Sequence, residues 1–169
     1  MAELDFSQDV ILGEAGECFM IDYLTSGNRG ILLDRRKNYT WDFKIKFLKD
    51  NQVKTFEAKT DIYCIPDRIL NGKKIMGKDS GNIFVEFYCR GKESGIRVTE
   101  ADWFIYYFKY VGEIWLIKID DLKELIRNNE FPIGVGGDYK SDSTGYLIPR
   151  YKFRKHFIYF NNIFQEELV

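Results

Sequence analysis

The sequence is poor in the residues that build zinc sites and disulfide frameworks. Its 169 residues include one histidine, His156, which excludes a zinc site with several histidine ligands. The three cysteines, Cys18, Cys64 and Cys89, lie far apart in the chain and form no CxxC pair. Because their number is odd and their density is low, a disulfide framework is not expected, and a reducing compartment is favoured.

The chain also lacks the hydrophobic segments that would direct it into or across a membrane. It starts with the acidic stretch MAELDFSQDV, which has no basic region followed by an apolar one, so no signal peptide is expected. The longest apolar run, Trp103–Phe108, is far shorter than a bilayer span. We therefore expect no membrane partner and a cytoplasmic location.

An excess of charge of either sign is missing as well. Lys and Arg number 25 against 26 Asp and Glu, which gives a formal net charge of −1. This balance removes the simplest argument for a nucleic-acid partner, a globally basic chain. The chain is 45% hydrophobic and 17% aromatic, and its length suits one domain with a real core. We expect a single domain over residues 1–169.

Residue patterns predict one α/β domain with a mostly antiparallel or mixed sheet. Helices are expected from about Ser7 to Leu24, and from Asp120 or Asp121 to about Asn128. Strands are expected at Ile31–Leu33, Tyr39–Leu48, Val53–Tyr63, Asn82–Arg90, Trp103–Val111, Ile114–Ile119, Tyr146–Ile148 and Phe157–Phe160. Loops are expected at Cys64–Gly81 and Gly134–Thr144.

A hairpin predicted between the second and third strands gathers charged side chains on one face. A symmetric turn at Lys49–Gln52 places Lys44 opposite Glu57, and Asp42 opposite Lys59. Side chains alternate along strands, so the opposite face of this hairpin is apolar. In this register Asp42 lies diagonal to Glu57, at about 7–8 Å.

Two carboxylates at this separation can share a hard divalent cation such as Mg²⁺, which prefers oxygen ligands. A neighbouring lysine can stabilise charge on a phosphate or hold an attacking water. The pattern also leaves open a simpler interpretation, a solvated sheet face with alternating charges.

The sequence around these carboxylates extends the pattern. Trp41-Asp42-Phe43, followed by Phe56-Glu57-Ala58-Lys59, resembles the D…E-x-K signature of the PD-(D/E)XK nuclease superfamily. Gly13-x-x-x-Glu17 on the first helix is similar to the glycine-then-glutamate start of many such nucleases, with Glu14 as the substitute if the helix is rotated. Trp41 stands where many members have proline. The resemblance covers roughly residues 13–110. Within the superfamily, this segment is similar to phage, restriction-type and Holliday-junction-resolvase-like members.

This resemblance implies a restriction-endonuclease-like fold, a single domain whose central mixed β-sheet is flanked by helices. It implies a Mg²⁺-dependent DNA endonuclease, in which Mn²⁺ can substitute, acting on branched DNA or as a restriction-type enzyme. Asp42, Glu57, Lys59 and Glu17 would be catalytic. Glu17, Asp42, Glu57 and the Ala58 carbonyl would hold metal, and Lys59 would position or activate the attacking water.

Several polar residues outside this cluster are candidate DNA contacts. They are Arg36, Lys73, Lys74, Ser94, Thr99, Arg150, Lys152 and Arg154. In the segment Arg150–His156 the basic residues alternate with Tyr151 and Phe153, as expected for a strand with one basic face. Glu86 is a candidate for a supporting role at the metal site. A homodimer would suit cuts on two strands.

Two other functions stay open. One is a nuclease-fold module that binds nucleic acid or a protein without cleaving, although the complete set of Glu17, Asp42, Glu57 and Lys59 argues against it. The other is an exonuclease or a nuclease that acts on RNA. The phage-like resemblance and an amino-acid composition rich in Lys, Asn, Ile and Phe suggest a phage, virus or mobile element as the source.

Overall fold

A six-stranded mixed sheet forms the centre of the fold. The structure, a computed structural model, describes residues 6–36, 40–136 and 142–161. With strands numbered in chain order, the spatial order of this sheet is β1 (Gly30–Arg35), β2 (Phe43–Phe47), β3 (Val53–Asp61), β8 (Trp103–Phe108), β9 (Glu113–Lys118) and β12 (Ile158–Phe160). Neighbours are antiparallel except β3 and β8, which run parallel. The predicted mixed α/β architecture is confirmed.

The other elements cover this sheet or project from it. A second sheet has the order β10 (Ile133–Gly136), β11 (Ser143–Pro149), β6 (Asn82–Cys89) and β7 (Lys92–Glu93). A separate hairpin pairs β4 (Arg68–Leu70) with β5 (Lys73–Ile75), and the helices are α1 (Phe6–Thr25) and α2 (Ile119–Arg127). Within the described ranges, no helix is long and apolar enough to cross a membrane.

Both faces of the large sheet are buried. On one face α1 packs through Met20 and Ile21 against apolar side chains of β2, β3, β8 and β9. On the other face the second sheet and α2 share a core with β8 and β9, which includes the fully buried Trp115. Since the two cores lie on opposite faces of one sheet, the described residues form one compact domain.

Two predicted loops contain strands. Within Cys64–Gly81, the Asn71-Gly72 pair has φ of 50° and 73° and closes a tight two-residue turn between β4 and β5. Within Gly134–Thr144, β10 and the start of β11 pair with each other. The strand predicted over Arg150–His156 is wrong, because the chain turns there and forms a 3-10 turn at Arg154–His156. Tyr39, the predicted start of the second strand, lies outside the described residues.

The predicted register of the β2–β3 hairpin is wrong by two residues. Lys44 pairs with Thr55, not with Glu57. The connection is one residue earlier than predicted, since the Phe47 N–H donates to the Gln52 carbonyl at 2.8 Å. A shift by two preserves the alternation, so the paired side chains of β2 and β3 stay on their predicted faces. Trp41, which was predicted on the face of Phe43, instead belongs to the core cluster on the other face, because the ladder ends at Phe43.

The contact between α1 and β3 depends on a glycine. A Cβ atom at Gly16 would lie 2.0 Å from the Thr60 Oγ1 and 2.6 Å from its Cγ2. The Thr60 hydroxyl oxygen is buried and has no hydrogen-bond partner in the described part of the chain. The absence of a side chain at position 16 therefore lets the helix approach the strand.

We expect Gly16→Ala to lower the free energy of unfolding by about 1–3 kcal/mol, because the added methyl group overpacks this contact. Adding Thr60→Ala should recover most of the loss, because it removes the two nearest atoms. Gly13→Ala is the matched control: no atom lies within 4 Å of its Cβ, so it should stabilise the helix by about 1 kcal/mol. Urea unfolding measures all four proteins, and equal stability of both single variants would contradict the packing argument.

Candidate active site

The start of β2 brings two carboxylates together across the β2–β3 ladder. The Asp42 N–H donates to the Phe56 carbonyl at 2.8 Å, and the Ala58 N–H donates to the Asp42 Oδ2 at 2.7 Å. The regular β2–β3 pairing ends at Phe43 and Phe56, and Asp42 lies just before β2, held against β3 by these two hydrogen bonds. The predicted regular register therefore does not extend to Asp42. The charge of Glu57 still raises the pKa of Asp42, so the two carboxylates lie close enough to repel each other.

Lys59 lies two residues further along β3, on the same face as Glu57. Its Nζ is 3.9 Å from the Glu57 Oε1. Burial alone would lower the pKa of Lys59, but the carboxylates of Glu57, Glu86 and Asp42 raise it above its usual value. The ammonium group therefore stays charged at neutral pH. The Lys59 side chain is 36% exposed, against 11% for Glu57, so the lysine reaches solvent beside a buried carboxylate.

Burial and mutual repulsion make both carboxyl groups hard to ionise. Burial, followed by the charge of Glu57, raises the pKa of Asp42 to about 7, although the Ala58 N–H and Lys59 oppose this shift. Burial also raises the pKa of Glu57, against the effects of Lys59 and of a hydrogen bond with Thr99. Two like charges held this close favour the binding of a cation between them.

Thr99 supports Glu57 from a distant part of the chain. It is 4% exposed, and its hydroxyl donates to the Thr40 carbonyl at 3.1 Å and accepts from the Ala101 N–H at 3.3 Å. A hydroxyl has one proton, so it can serve either the Thr40 carbonyl or the Glu57 carboxylate at one time. Thr99 was predicted to contact phosphate, but its burial gives it a supporting position inside the protein.

The Ala58 carbonyl offers a third oxygen beside the two carboxylates. Because the Phe56 carbonyl accepts from Asp42, and backbone groups alternate along a strand, Phe56 and Ala58 both direct their backbone groups towards β2. The ladder between β2 and β3 ends at the pair Phe43–Phe56. The Ala58 carbonyl therefore lies beyond the last ladder pair, on the side of Asp42.

Glu17 of α1 reaches the edge of this site but is already ion-paired. Its Oε2 accepts from the Arg35 Nε at 3.0 Å and from the Arg35 Nη2 at 2.9 Å. Its charge contributes to the raised pKa of both Asp42 and Glu57. Glu14 contacts the same arginine, through its backbone carbonyl at 3.4 Å. The pairing of Arg35 with Glu17 was not predicted, because the only signal in the sequence is the basic run Arg35-Arg36-Lys37, which indicates a charged surface and not a partner.

The oxygen donors present suit a hard divalent cation. Asp42 and Glu57 supply carboxylates, Ala58 supplies a carbonyl, and this chemistry fits Mg²⁺, which binds through one or two carboxylates and keeps several waters. Glu86 of β6 adds a further negative charge near Lys59. Within residues 6–36, 40–136 and 142–161, no three His, Cys, Asp or Glu side chains lie together as a metal-binding group. A cation here would depend on the backbone carbonyl and on water.

Most of the predicted DNA contacts lie at the surface, outside this cluster. Arg36 is exposed, pairs with Asp34 at 2.6 Å and lies over the Trp41 ring at 5.0 Å. Lys73 and Lys74 are exposed on β5, and Lys152 and Arg154 are exposed near the end of the described chain. Ser94 is half-buried, and its hydroxyl oxygen is buried without a hydrogen-bond partner among the described residues.

Arg150 is the clear exception, because its side chain is fully buried. Its guanidinium donates to Asp79 at 2.8 Å and to the Glu113 Oε2 at 3.1 Å. Glu113 also accepts from the Tyr151 hydroxyl at 2.8 Å and from the Trp115 Nε1 at 3.0 Å. The predicted phosphate contact through Arg150 is therefore wrong, because the guanidinium is buried and already bound to Asp79 and Glu113.

Comparison with known proteins returns no family model, no curated protein and no solved structure that matches the chain. The resemblance to PD-(D/E)XK nucleases therefore stays a prediction from the motifs.

The raised pKa of Asp42 predicts how the site affects stability. Its folded pKa of about 7 lies above the usual 3.8, so the folded protein holds the proton longer than the unfolded chain does. The stability lost to this group therefore grows as the pH rises between these two values and is complete above about pH 7. Asp42→Asn removes the charge and keeps an oxygen for the Ala58 N–H. In chelator, it should be more stable than wild type by on the order of 2 kcal/mol at about pH 8, and by less at about pH 5.

Urea unfolding at both pH values provides the measurement. Asp22→Asn is the matched control, since Asp22 is an exposed residue of α1 and its substitution should have the same small effect at both pH values. An Asp42→Asn protein that is less stable than wild type at the higher pH would contradict the proposed repulsion.

Proposed function

We propose that this chain is a metal-dependent nuclease that hydrolyses phosphodiester bonds in DNA. One observation carries the proposal: the Asp42 carboxylate accepts from the N–H of Ala58, the residue after Glu57, and the Lys59 ammonium lies 3.9 Å from Glu57. A merely solvated face with alternating charges is disfavoured, because Glu57 is only 8% exposed. Placing a carboxylate there has an energetic cost that a binding function would explain.

The carboxylates of Asp42 and Glu57, with the Ala58 carbonyl, would hold Mg²⁺ or Mn²⁺. When bound, the ion supplies activation of water and stabilisation of charge on the leaving oxygen. Glu17 contributes negative charge at the edge of the site while Arg35 holds one of its oxygens. In this arrangement Asp42 is oriented by the Ala58 N–H, and Glu57 is supported by Thr99.

Lys59 has a separate role in this proposal. Because neighbouring carboxylates raise its pKa, it acts as a cation and donor, and not as a base that removes a proton. Its partly exposed ammonium can donate to an attacking water and to the phosphate oxygens on which negative charge develops. The pairing with Glu57 orients the ammonium for that contact.

A second candidate is a module of the same fold that binds nucleic acid or a protein without cleaving it. The ion pair between Glu17 and Arg35 favours it, since the arginine occupies the carboxylate of a predicted metal ligand at 2.9 Å. Cleavage of RNA or of DNA ends is a further form of the first proposal. The nuclease proposal also includes a homodimer and a cytoplasmic site of action. In that compartment Cys18, Cys64 and Cys89 stay free thiols.

Cleavage assays test the enzyme proposal. We expect wild type with Mg²⁺ or Mn²⁺ to cut at least one of supercoiled, linear, single-stranded and four-way-junction DNA, and chelator to abolish cutting. Asp42→Ala and Lys59→Ala should lower the rate about 100-fold or more, because each removes charge or a donor needed in the transition state. Lys46→Ala, on the same hairpin, should leave the rate unchanged. If wild type cuts neither these DNA substrates nor RNA, the enzyme proposal is wrong and the binding module becomes the proposed function.

Metal binding can be measured apart from cleavage. Calorimetric titration with Mn²⁺ should show binding to wild type that weakens about tenfold or more in Glu57→Gln, because the neutral amide is a poorer ligand. Glu100→Gln, which changes an exposed glutamate, should bind as wild type does. Equal affinity in the two variants would show that Glu57 is not a ligand.

A further inference from the structure

A hairpin arm projects from the domain between β3 and β6. The arm consists of residues 65–78, with β4 and β5 as its two strands and Asn71-Gly72 as its tip. The pairs are Arg68 with Ile75, Ile69 with Lys74, and Leu70 with Lys73. Directly paired residues share a face, so Arg68 and Lys73 lie on one face and Lys74 lies on the other.

The arm contributes little to the core of the domain. Its described side chains are exposed on both faces, with Ile69 at 78% and Met76 at 71% exposure. None of its described side chains belongs to either core cluster. An isolated two-stranded ribbon is at best marginally stable in water. The formation of this ribbon therefore serves something other than the burial of apolar surface.

The two chain segments at the base of the arm are held to each other, and the residue that follows them is bound to the domain. Ile65 and Lys78 exchange two backbone hydrogen bonds of 2.8 and 2.7 Å, and the Gly77 N–H donates to the Asp67 Oδ1 at 2.8 Å. A Cβ at Gly77 would lie 2.1 Å from the Ile65 carbonyl oxygen, so the two chains of the base are in close contact. The next residue, Asp79, binds the buried Arg150. Arg150 thus anchors the arm.

Positive charge is concentrated on the arm. It carries four basic residues, Arg68, Lys73, Lys74 and Lys78, and one acidic residue, Asp67. Asp67 is paired with Lys74 at 2.8 Å, whereas the other three cations make no ion pair within the described part of the chain. The whole chain has a net charge of −1, so the rest of the molecule is acidic. This segregation favours a polyanionic partner.

The arm connects the two strands that carry the candidate active site. Glu57 and Lys59 lie on β3, which ends at Asp61, and Glu86 lies on β6 a few residues after its start. The Tyr106 hydroxyl donates to the Asp61 carboxylate at 3.1 Å and so fixes the end of β3. The arm is therefore joined through a fixed strand end to the strand that carries Glu57 and Lys59.

We propose that the arm binds duplex DNA by entering the major groove, which admits a two-stranded ribbon. This inference rests on the proposed function. Basic residues on both faces suit a groove with a phosphate backbone on each side, while the exposed Ile69 side chain can contact the base edges. The deep, narrow major groove of duplex RNA excludes such a ribbon, so the arm distinguishes DNA from RNA.

Fluorescence anisotropy in chelator, where no cleavage occurs, tests this binding with a short blunt DNA duplex and the full chain. Arg68→Gln with Lys73→Gln should raise Kd about tenfold or more and reduce the slope of log K against log salt concentration by about 2. Lys49→Gln with Lys92→Gln removes the same charge from exposed residues elsewhere and should change both values little. Ile69→Ser should raise Kd without changing the slope. Wild type should bind an RNA duplex at least about tenfold more weakly.

The outcomes separate the arm from the nuclease proposal. The arm assignment is overturned if wild type binds no duplex DNA, if the arm variant binds as wild type does, or if the control pair causes the same loss. Equal binding of duplex RNA, or preference for a single strand or an acidic protein, overturns the groove assignment. Loss of duplex binding in the arm variant alone upholds the arm even if the cleavage assays find no activity. Urea unfolding confirms that each variant is folded.

Discussion

The position of β3 between two different neighbours is the constraint on which the site depends. An antiparallel partner, β2, holds one edge, and a parallel partner, β8, holds the other. Pairing of residues 53–56 with β2 and of residues 56–61 with β8 fixes the register of β3 and with it the positions of Glu57 and Lys59. Because β2 begins beside the middle of β3, the Asp42 side chain can turn to accept the Ala58 N–H. The meeting of two carboxylates thus follows from where one strand begins along another.

The site is costly to form, and the surrounding residues reduce that cost only in part. Burial works against ionisation of Asp42 and Glu57, and their proximity adds repulsion. Lys59 and Thr99 favour the charged form of Glu57. Arg35 forms an ion pair with Glu17 and so reduces the repulsion that Glu17 exerts on Glu57. What remains is a region that a divalent cation would stabilise. The same features that destabilise the fold are those that the proposed chemistry requires.

Buried and exposed arginines and lysines have different roles in this protein. Arg150 lies inside, bound by Asp79 and Glu113, and carries no charge to the surface. Its contact with Asp79 holds the base of the arm, where Arg68 and Lys73 remain exposed. The net charge of the whole chain, which is near zero, therefore describes neither the buried cluster around Arg150 nor the exposed arm. The distribution of charge, and not its sum, determines which partner the molecule can bind.

The amino-acid sequence by itself determined the elements with a clear period and the set of residues at the site. Alternation along β3 placed Glu57 and Lys59 on one face, and this prediction tolerated the error of two residues in the register with β2 because side chains repeat every two residues. The Asn71-Gly72 pair is typical of a two-residue hairpin turn, but the surrounding polar residues led to the prediction of a loop over Cys64–Gly81. Such local features depend on neighbours in the chain.

Tertiary structure alone decided the exact pairing of the strands, the support of Glu57 by Thr99, the ion pair of Glu17 with Arg35 and the burial of Arg150. Each of these joins residues that different strands or helices bring together. No local pattern encodes such a contact, because its energy arises only after the backbone has closed the loops between its partners.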